Sequence, residues 1–369
     1  MTGTKAPELG LFLACDSAFS GSRYTREVEM FTRKTVFVVG AGGSFEVNLP
    51  TGPALKSLIS TKLKQNDHGF VSDDIREAVA ELIATREGRT WEQYKDAARK
   101  VADAMPASLS IDNFLHSHSH DEVLVEMGKL AISACILEKE KTSKLGPASK
   151  KVIASAEQYW ANTFCKILTE SVQVNDRETL FDNVTIITFN YDRCIEYFVV
   201  EYLKTYFLLP NEEAHILARK LKVLHPYGQV GNLKWNPKRD YHSISFGSNV
   251  GAEQLVQCID QIHTLTEQAT EPEVIQDVHN AISSAERVVF LGFAFHDLNM
   301  QLLIPDAITS RKHIYGTAFG LSDKNVASIH GDVQRRMTHT NGGAPVFDMS
   351  ERDIGCNQFL LDYWLPIFN

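Results

Sequence analysis

The stretch Val36-Phe37-Val38-Val39-Gly40-Ala41-Gly42-Gly43-Ser44, followed at once by Leu49-Pro50-Thr51-Gly52, decides the fold. Lys34 to Val39 is a short β-branched apolar run of the kind that forms a strand buried on both faces of a parallel sheet. The glycines then free the backbone to turn tightly. Without side chains at positions 40 and 42, main-chain N–H groups can approach a pyrophosphate at the start of the next helix, where the helix dipole favours negative charge. A steric reading competes with this one, because many strand-to-helix turns carry glycine only so that segments can pack closely. A dehydrogenase-type fingerprint would place a third glycine where Phe45 stands, and an acid at the end of a second strand about 20 residues on. Neither is present, and after Ala54 the chain reads helical through Ile83, so an ordinary hydride-transfer domain is disfavoured.

Outward from this loop, Thr35 to Val39, Val184 to Thr188, Val223 to Leu224 with its neighbours and Arg287 to Gly292 read as buried strands, with His313 to Ala318 as a fifth. Between the first and the second lies a helical pattern that includes Trp91 to Ala104, Ile111 to His120, Val123 to Glu140 and Ser149 to Val172. This predicts an α/β fold: a Rossmann-like parallel sheet with a large inserted helical domain. The expected boundaries are an N-terminal extension at 1–33, the sheet domain at 34–53 and 181–335, the insertion at 54–180 and a C-terminal docking tail at 336–369. The segment Pro237 to Asn249 is rich in turn formers and reads as a surface loop or short hairpin, and Gly251 to Arg287 is again helical. Asn357 to Phe368 is too apolar for a free terminus and must dock, on its own domain or on a second subunit.

The chain of 369 residues is 44% hydrophobic and 22% charged, the composition of an ordinary soluble protein able to bury a full core. Its net charge of −9 gives no footprint for non-specific polyanion binding, so nucleic acid is not a default partner. Cysteines stand at 15, 135, 165, 194, 258 and 356, with no Cys-x-x-Cys pair, and read as reduced core residues. The apolar run Leu9 to Cys15 is cut by Asp16 and does not make a signal peptide. No run approaches the ~20 apolar residues of a membrane span, so a cytoplasmic protein is the expectation.

The residues suited to chemistry follow the strands. Val184 to Thr188 runs into Phe189-Asn190-Tyr191-Asp192, which puts Asn190 and Asp192 at the carboxyl edge of the sheet, where open α/β sheets bind ligands. Asp192 is equally placed to cap the helix that carries Arg193 and Glu196. Val223-Leu224-His225-Pro226-Tyr227-Gly228 offers His225, an imidazole suited to moving a proton near neutral pH, against the plainer reading of a structural histidine. Leu291-Gly292-Phe293-Ala294-Phe295-His296-Asp297 brings a glycine where a ligand can approach, and Asp297 to bond a ribose hydroxyl or cap a helix; Tyr315 to Ala318 is similar. His116, His118 and His120 alternate on a helical pattern, where i and i+2 face different ways, so a metal site is disfavoured.

Taken together, these motifs resemble the sirtuin-like NAD-binding fold, and more narrowly the sirtuin-like NADase domains of bacterial antiviral defence systems. The resemblance is carried by Gly40-Ala41-Gly42 with Ser44 and Leu49-Pro50, Thr188 to Asp192, His225 to Gly228, Leu291-Gly292-Phe293, and Ser110-Ile111-Asp112-Asn113-Phe114-Leu115. It implies NAD+ as substrate and no metal. It places Gly40, Ala41, Gly42, Ser44, Pro50, Thr188, Gly228, Gly292 and Phe293 around the dinucleotide, Asn190 and Asp192 at the nicotinamide ribose, and His225 as the base. Two departures stand out. The chain cannot build the zinc ribbon of deacylating sirtuins, and Tyr227, not a histidine, directly precedes Gly228. The implied reaction is hydrolysis of NAD+ to ADP-ribose and nicotinamide, draining NAD during infection. The implied assembly is a homo-oligomer, with a HerA-type ATPase or an Argonaute-type protein as activator and the insertion covering the site. A non-catalytic NAD or ADP-ribose sensor and an ADP-ribosyl transferase are the alternatives. No clustered carboxylates of the two-metal kind support DNA processing.

Overall fold

A computed structural model of the protein describes residues 33–67, 69–170, 172–237, 242–264, 267 and 272–368. The N-terminal extension, Cys15 and the run from Leu9 lie outside the described residues. Six strands form one parallel sheet: β1 (Thr35–Val39), β2 (Val184–Thr188), β3 (Lys222–Leu224), β4 (Arg287–Leu291), β5 (His313–Gly316) and β6 (Val346–Met349), in the spatial order β3-β2-β1-β4-β5-β6. β1 pairs with β2 from Thr35 opposite Val184 to Val39 opposite Thr188, and with β4 from Thr35 opposite Arg287 to Val39 opposite Leu291. Chain order therefore reverses at β1, which creates the crevice beyond the carboxyl ends of β1 and β4 where such sheets receive ligands. β6 comes from the segment expected to be a docking tail. Gly342, Gly343 and Pro345 precede it and only Phe347 of its residues is buried, so it is an edge strand without the apolar run that marks the central ones.

Each face of the sheet has its own apolar layer. On one face Val36 and Val38 continue into the helices α2 (Gly52–Lys62), α3 (Asp73–Thr85), α4 (Trp91–Ala104), α5 (Ile111–Ser117) and α6 (Glu122–Thr142), which fall within or at the edge of the segment read as an insertion at 54–180. These helices share one continuous core with the sheet, since Leu55, Ile59, Leu130 and Ile187 lie in the same buried cluster. On the other face Phe37 and Val39 pack under α8 (Trp160–Thr169), α9 (Cys194–Tyr206) and α10 (Asn211–Ala218), with the short α7 (Val152–Ser155) beside them. The expected single helix from 149 to 172 is broken: Tyr159 is extended, and α8 begins anew at Trp160.

Further helices among the described residues are α11 (Ala252–Ile259), α12 (Pro272–Ser284), α13 (Asp297–Leu303), α14 (Asp323–Met337) and α15 (Cys356–Phe368). The apolar C-terminal run docks on its own chain as α15, burying Phe359, Leu360, Ile367 and Phe368, with the Phe368 ring 6.2 Å from that of Phe37. Five cysteines, 135, 165, 194, 258 and 356, are free and buried, and burial pushes the thiols of Cys135 and Cys258 up to about 12, so none is a ready nucleophile. No helix among the described residues is long and apolar enough to cross a membrane.

Candidate active site at the carboxyl edge of the sheet

Four strand ends converge in the crevice: Gly40 after β1, Phe189 to Asp192 after β2, His225 to Gly228 after β3 and Gly292 to His296 after β4. Asn190 is buried, and its side-chain amide donates to the Gly40 carbonyl at 3.1 Å and to Ser44 Oγ at 3.0 Å. Ser44 Oγ donates to Asp192 Oδ1 at 3.2 Å, and the same oxygen accepts from the Cys194 amide at 3.1 Å. Asp192 thus receives the first turn of α9 while facing the glycine loop, and burial holds its carboxyl above the ordinary carboxylate value. Thr188 is buried and its Oγ1 accepts from the Asn190 amide at 3.2 Å.

His225 is placed by two contacts. Nδ1 lies 3.1 Å from the Asn190 carbonyl and Nε2 2.9 Å from Glu196 Oε1. A carbonyl only accepts, so Nδ1 carries a hydrogen, and the contact between Nε2 and a carboxyl oxygen requires a second proton between them. Both ring nitrogens are therefore engaged. In this arrangement His225 fixes the main chain at Asn190 and its Nε2 is held by Glu196, in the first turn of α9. Glu196 has no motif of its own; what could have found it is its position three residues after Arg193 on the helix that starts at the site.

The glycines have a packing reason. The Gly40 amide donates to the Leu291 carbonyl and the Gly42 amide to the Gly292 carbonyl, each at 3.0 Å, and the Gly43 amide returns to the Gly40 carbonyl. A Cβ on Gly42 would stand 2.7 Å from Gly292 Cα, and one on Gly292 2.3 Å from the Gly43 nitrogen. Two strand-end loops touch backbone to backbone, and Gly292 adopts φ +57° to allow it. The amides at 40, 42 and 43 are thereby already bonded within the chain. Gly228, at φ +74°, makes a similar approach to the Gln261 carbonyl. Ala41 opens the short α1 (Ala41–Phe45), and Pro50 lies half-buried beyond it.

An aromatic group lines the other side of Asn190. Phe189 lies 5.2 Å from Phe293 and 5.7 Å from Tyr227, and Tyr191 6.4 Å from Tyr227, centroid to centroid. The Tyr191 hydroxyl donates to Asp112 Oδ1, and that of Tyr227 to Asn299 Oδ1 at 2.9 Å. Asp112 comes from the insertion: Ser110 caps α5 through the Asn113 amide at 3.0 Å and so delivers the next turn to the sheet edge. The Ser110 to Leu115 motif was legible as a motif, but not as a contributor to the site. Asp297, by contrast, points away: it is exposed and paired with Arg336. Among the three alternating histidines His118 ends α5, its ring 6.4 Å from that of His120, and no group of three or more His, Cys, Asp or Glu residues among the described residues is arranged to hold a metal.

Residues 184–319 match the model of the SIR2-like domain family. A SIR2-like domain is present in this chain. The match runs from β2 to just beyond β5, so it holds Asn190, Asp192, Glu196, His225, Gly228 and Gly292, while the glycine loop on β1 and the helical insertion lie outside it. SIR2-like domains bind NAD+ and are in general NAD-dependent enzymes. No curated protein matches the chain.

Proposed function

We propose that the chain hydrolyses the bond between nicotinamide and ribose in NAD+, giving nicotinamide and ADP-ribose. The observation that carries this reading is the SIR2-like match over the strand ends that bring Asn190, Asp192 and His225 within one hydrogen-bonded group. Nicotinamide leaves neutral from a cationic pyridinium, so no acid is needed at the leaving group. The electron pair of the C–N bond goes to the ring nitrogen, water attacks the ribosyl carbon, and the water proton must find a base. In this reading Asn190 orients the ribose and the water, while Gly40, Gly42, Ser44, Pro50, Thr188, Gly228, Gly292 and Phe293 surround the dinucleotide. His225 takes the proton at Nε2 once that atom leaves Glu196 and the proton they share stays on the Glu196 carboxyl. Electrostatic groups held in place ahead of the reaction and shielded from bulk water give such a step its largest acceleration.

Its biological use would be depletion of NAD during infection, with the chain acting as a homo-oligomer under a HerA-type or Argonaute-type activator. One observation favours a second reading, that of a sensor which binds the dinucleotide without cleaving it: both nitrogens of His225 are engaged. Nicotinamide release by the purified chain decides between them, alone and in lysate, beside Asn190→Ala, His225→Ala and Glu196→Gln. Release of nicotinamide together with free ADP-ribose establishes hydrolysis. Binding of NAD+ without release under any condition establishes the sensor.

A further inference from the structure

The crevice contains a carboxyl group that the proposed hydrolysis has not used. Asp112 reaches it from outside the SIR2-like domain, on the first turn of α5. Its carboxyl lies deep enough for burial to push it above the ordinary carboxylate value, while the residue as a whole is half-buried. Its hydrogen bonds come from the Tyr191 hydroxyl, from its own backbone amide and from Ser110, and the charge facing it is His296. Burial lowers the pKa of His296, so that ring is mostly neutral at neutral pH and is a weak counter-charge. No lysine or arginine among the described residues is ion-paired with Asp112. His296 itself is set by a strained turn, since the preceding Phe295 has φ +54°, a conformation that costs about 1 kcal/mol or more and is kept only where the surroundings impose it.

A carboxylate taken out of water is costly unless a positive charge reaches it. Here it accepts from the hydroxyl of Tyr191, the residue next to Asn190 in the chain, and the Tyr191 ring lies 6.4 Å from that of Tyr227, aromatic faces of the kind that favour cations. We propose that Asp112 is the counter-charge for the cationic nicotinamide ring, so that the helical insertion supplies the specificity for the oxidised over the reduced dinucleotide. This rests on the NAD+ reading above. The two redox forms share every phosphate, ribose and adenine contact, and differ at this ring in charge. A carboxylate beside the ring therefore shows in the ratio of their affinities, which a merely structural role would not move.

The test uses the full chain and an NAD+ analogue in which a methylene replaces the ribose ring oxygen, which prevents cleavage, together with its reduced form. Calorimetry is run on wild type, Asp112→Asn and Tyr191→Phe, with circular dichroism as the control for folding. Wild type is expected to favour the oxidised form by about tenfold or more, equivalent to about 1.4 kcal/mol. Asp112→Asn brings the two affinities together, and Tyr191→Phe, which keeps the charge, preserves the preference. An unchanged ratio in a folded Asp112→Asn variant that binds both forms overturns the inference. So does an equal loss of preference in Tyr191→Phe, because the carboxylate would then act only by positioning that ring. Wild type that binds neither form sinks the NAD+ reading itself, a separate outcome.

Discussion

Substituting Glu140 tests how the helical insertion is held to the SIR2-like domain. Glu140 ends the buried face of α6, and Arg193 stands between Asp192 and the first turn of α9. Neither side chain has any exposed surface. The carboxylate accepts from Arg193 Nη2 at 2.5 Å, from Nε at 3.1 Å and from the Arg193 amide at 3.0 Å. The guanidinium also donates to the Ile244 carbonyl at 2.6 Å and lies 6.0 Å from the centre of the Phe246 ring. Glu140→Gln keeps the shape and removes the charge, leaving a guanidinium without its anion in a dry site. Breaking a buried pair from one side costs about 4 kcal/mol, because the remaining charge keeps its desolvation penalty. If the chain unfolds as one unit, a loss of that size lowers the midpoint by roughly 5 °C. Urea denaturation followed by tryptophan fluorescence reads it, since Trp91 and Trp160 lie on opposite faces of the sheet. The double variant Glu140→Leu with Arg193→Met removes both charges and is expected to recover most of the loss. A Glu140→Gln cost below about 1 kcal/mol would refute the argument, as would a double variant no better than the single.

Two further outcomes are expected. Gly292→Ala puts a Cβ 2.3 Å from the Gly43 nitrogen at a residue with φ +57°, so the two loops must part; soluble yield and stability should both collapse, and a variant of normal stability would show that the loops can separate cheaply. Asp112→Asn should be more stable than wild type at neutral pH. The sign follows from the raised pKa: a folded chain that holds this proton longer than the unfolded one gains from Asp112 at low pH, and loses that gain as pH rises through the folded value. The advantage of the amide over wild type should therefore shrink as pH falls through that value, and an advantage that grows on acidification would mean that the carboxylate is stabilised in the fold.

The central strands were legible because strands buried on both faces are written as short β-branched runs ended by glycine or a turn. β6 was not, since an edge strand needs to bury only one side and Val346-Phe347-Asp348-Met349 alternates accordingly. The break before Trp160 was illegible for another reason: the amide of Trp160 is bonded by Glu46 at 2.8 Å, and the same carboxylate accepts from the Asn357 amide at 2.8 Å. A helix start held by an acid from a distant turn leaves no local signature. The same division runs through the site. Asn190, Asp192 and His225 follow strands, so the rule that ligands gather at carboxyl ends locates them. Glu196, Asp112 and Glu140 reach the site from helices, and only tertiary packing decides which turn of a helix faces it.

Each residue that the sequence marks for chemistry is also a structural link, and this bears on how their variants are read. The Asn190 amide ties Gly40 to Ser44, Ser44 ties Asn190 to Asp192, and His225 ties the Asn190 carbonyl to Glu196. The question whether Asp192 caps a helix or meets a ligand has no single answer, because holding the α9 amide is what keeps the carboxylate beside the loop. Loss of activity in Asn190→Ala or His225→Ala is then ambiguous, since removing a buried partner also leaves other polar groups unsatisfied at about 1–3 kcal/mol each. Ligand-linked stability resolves it. A ligand that binds only the folded state adds stability in proportion to the logarithm of its concentration over Kd. A variant that has lost turnover but is still stabilised by the uncleavable dinucleotide has lost chemistry, and one that has lost both has lost the site.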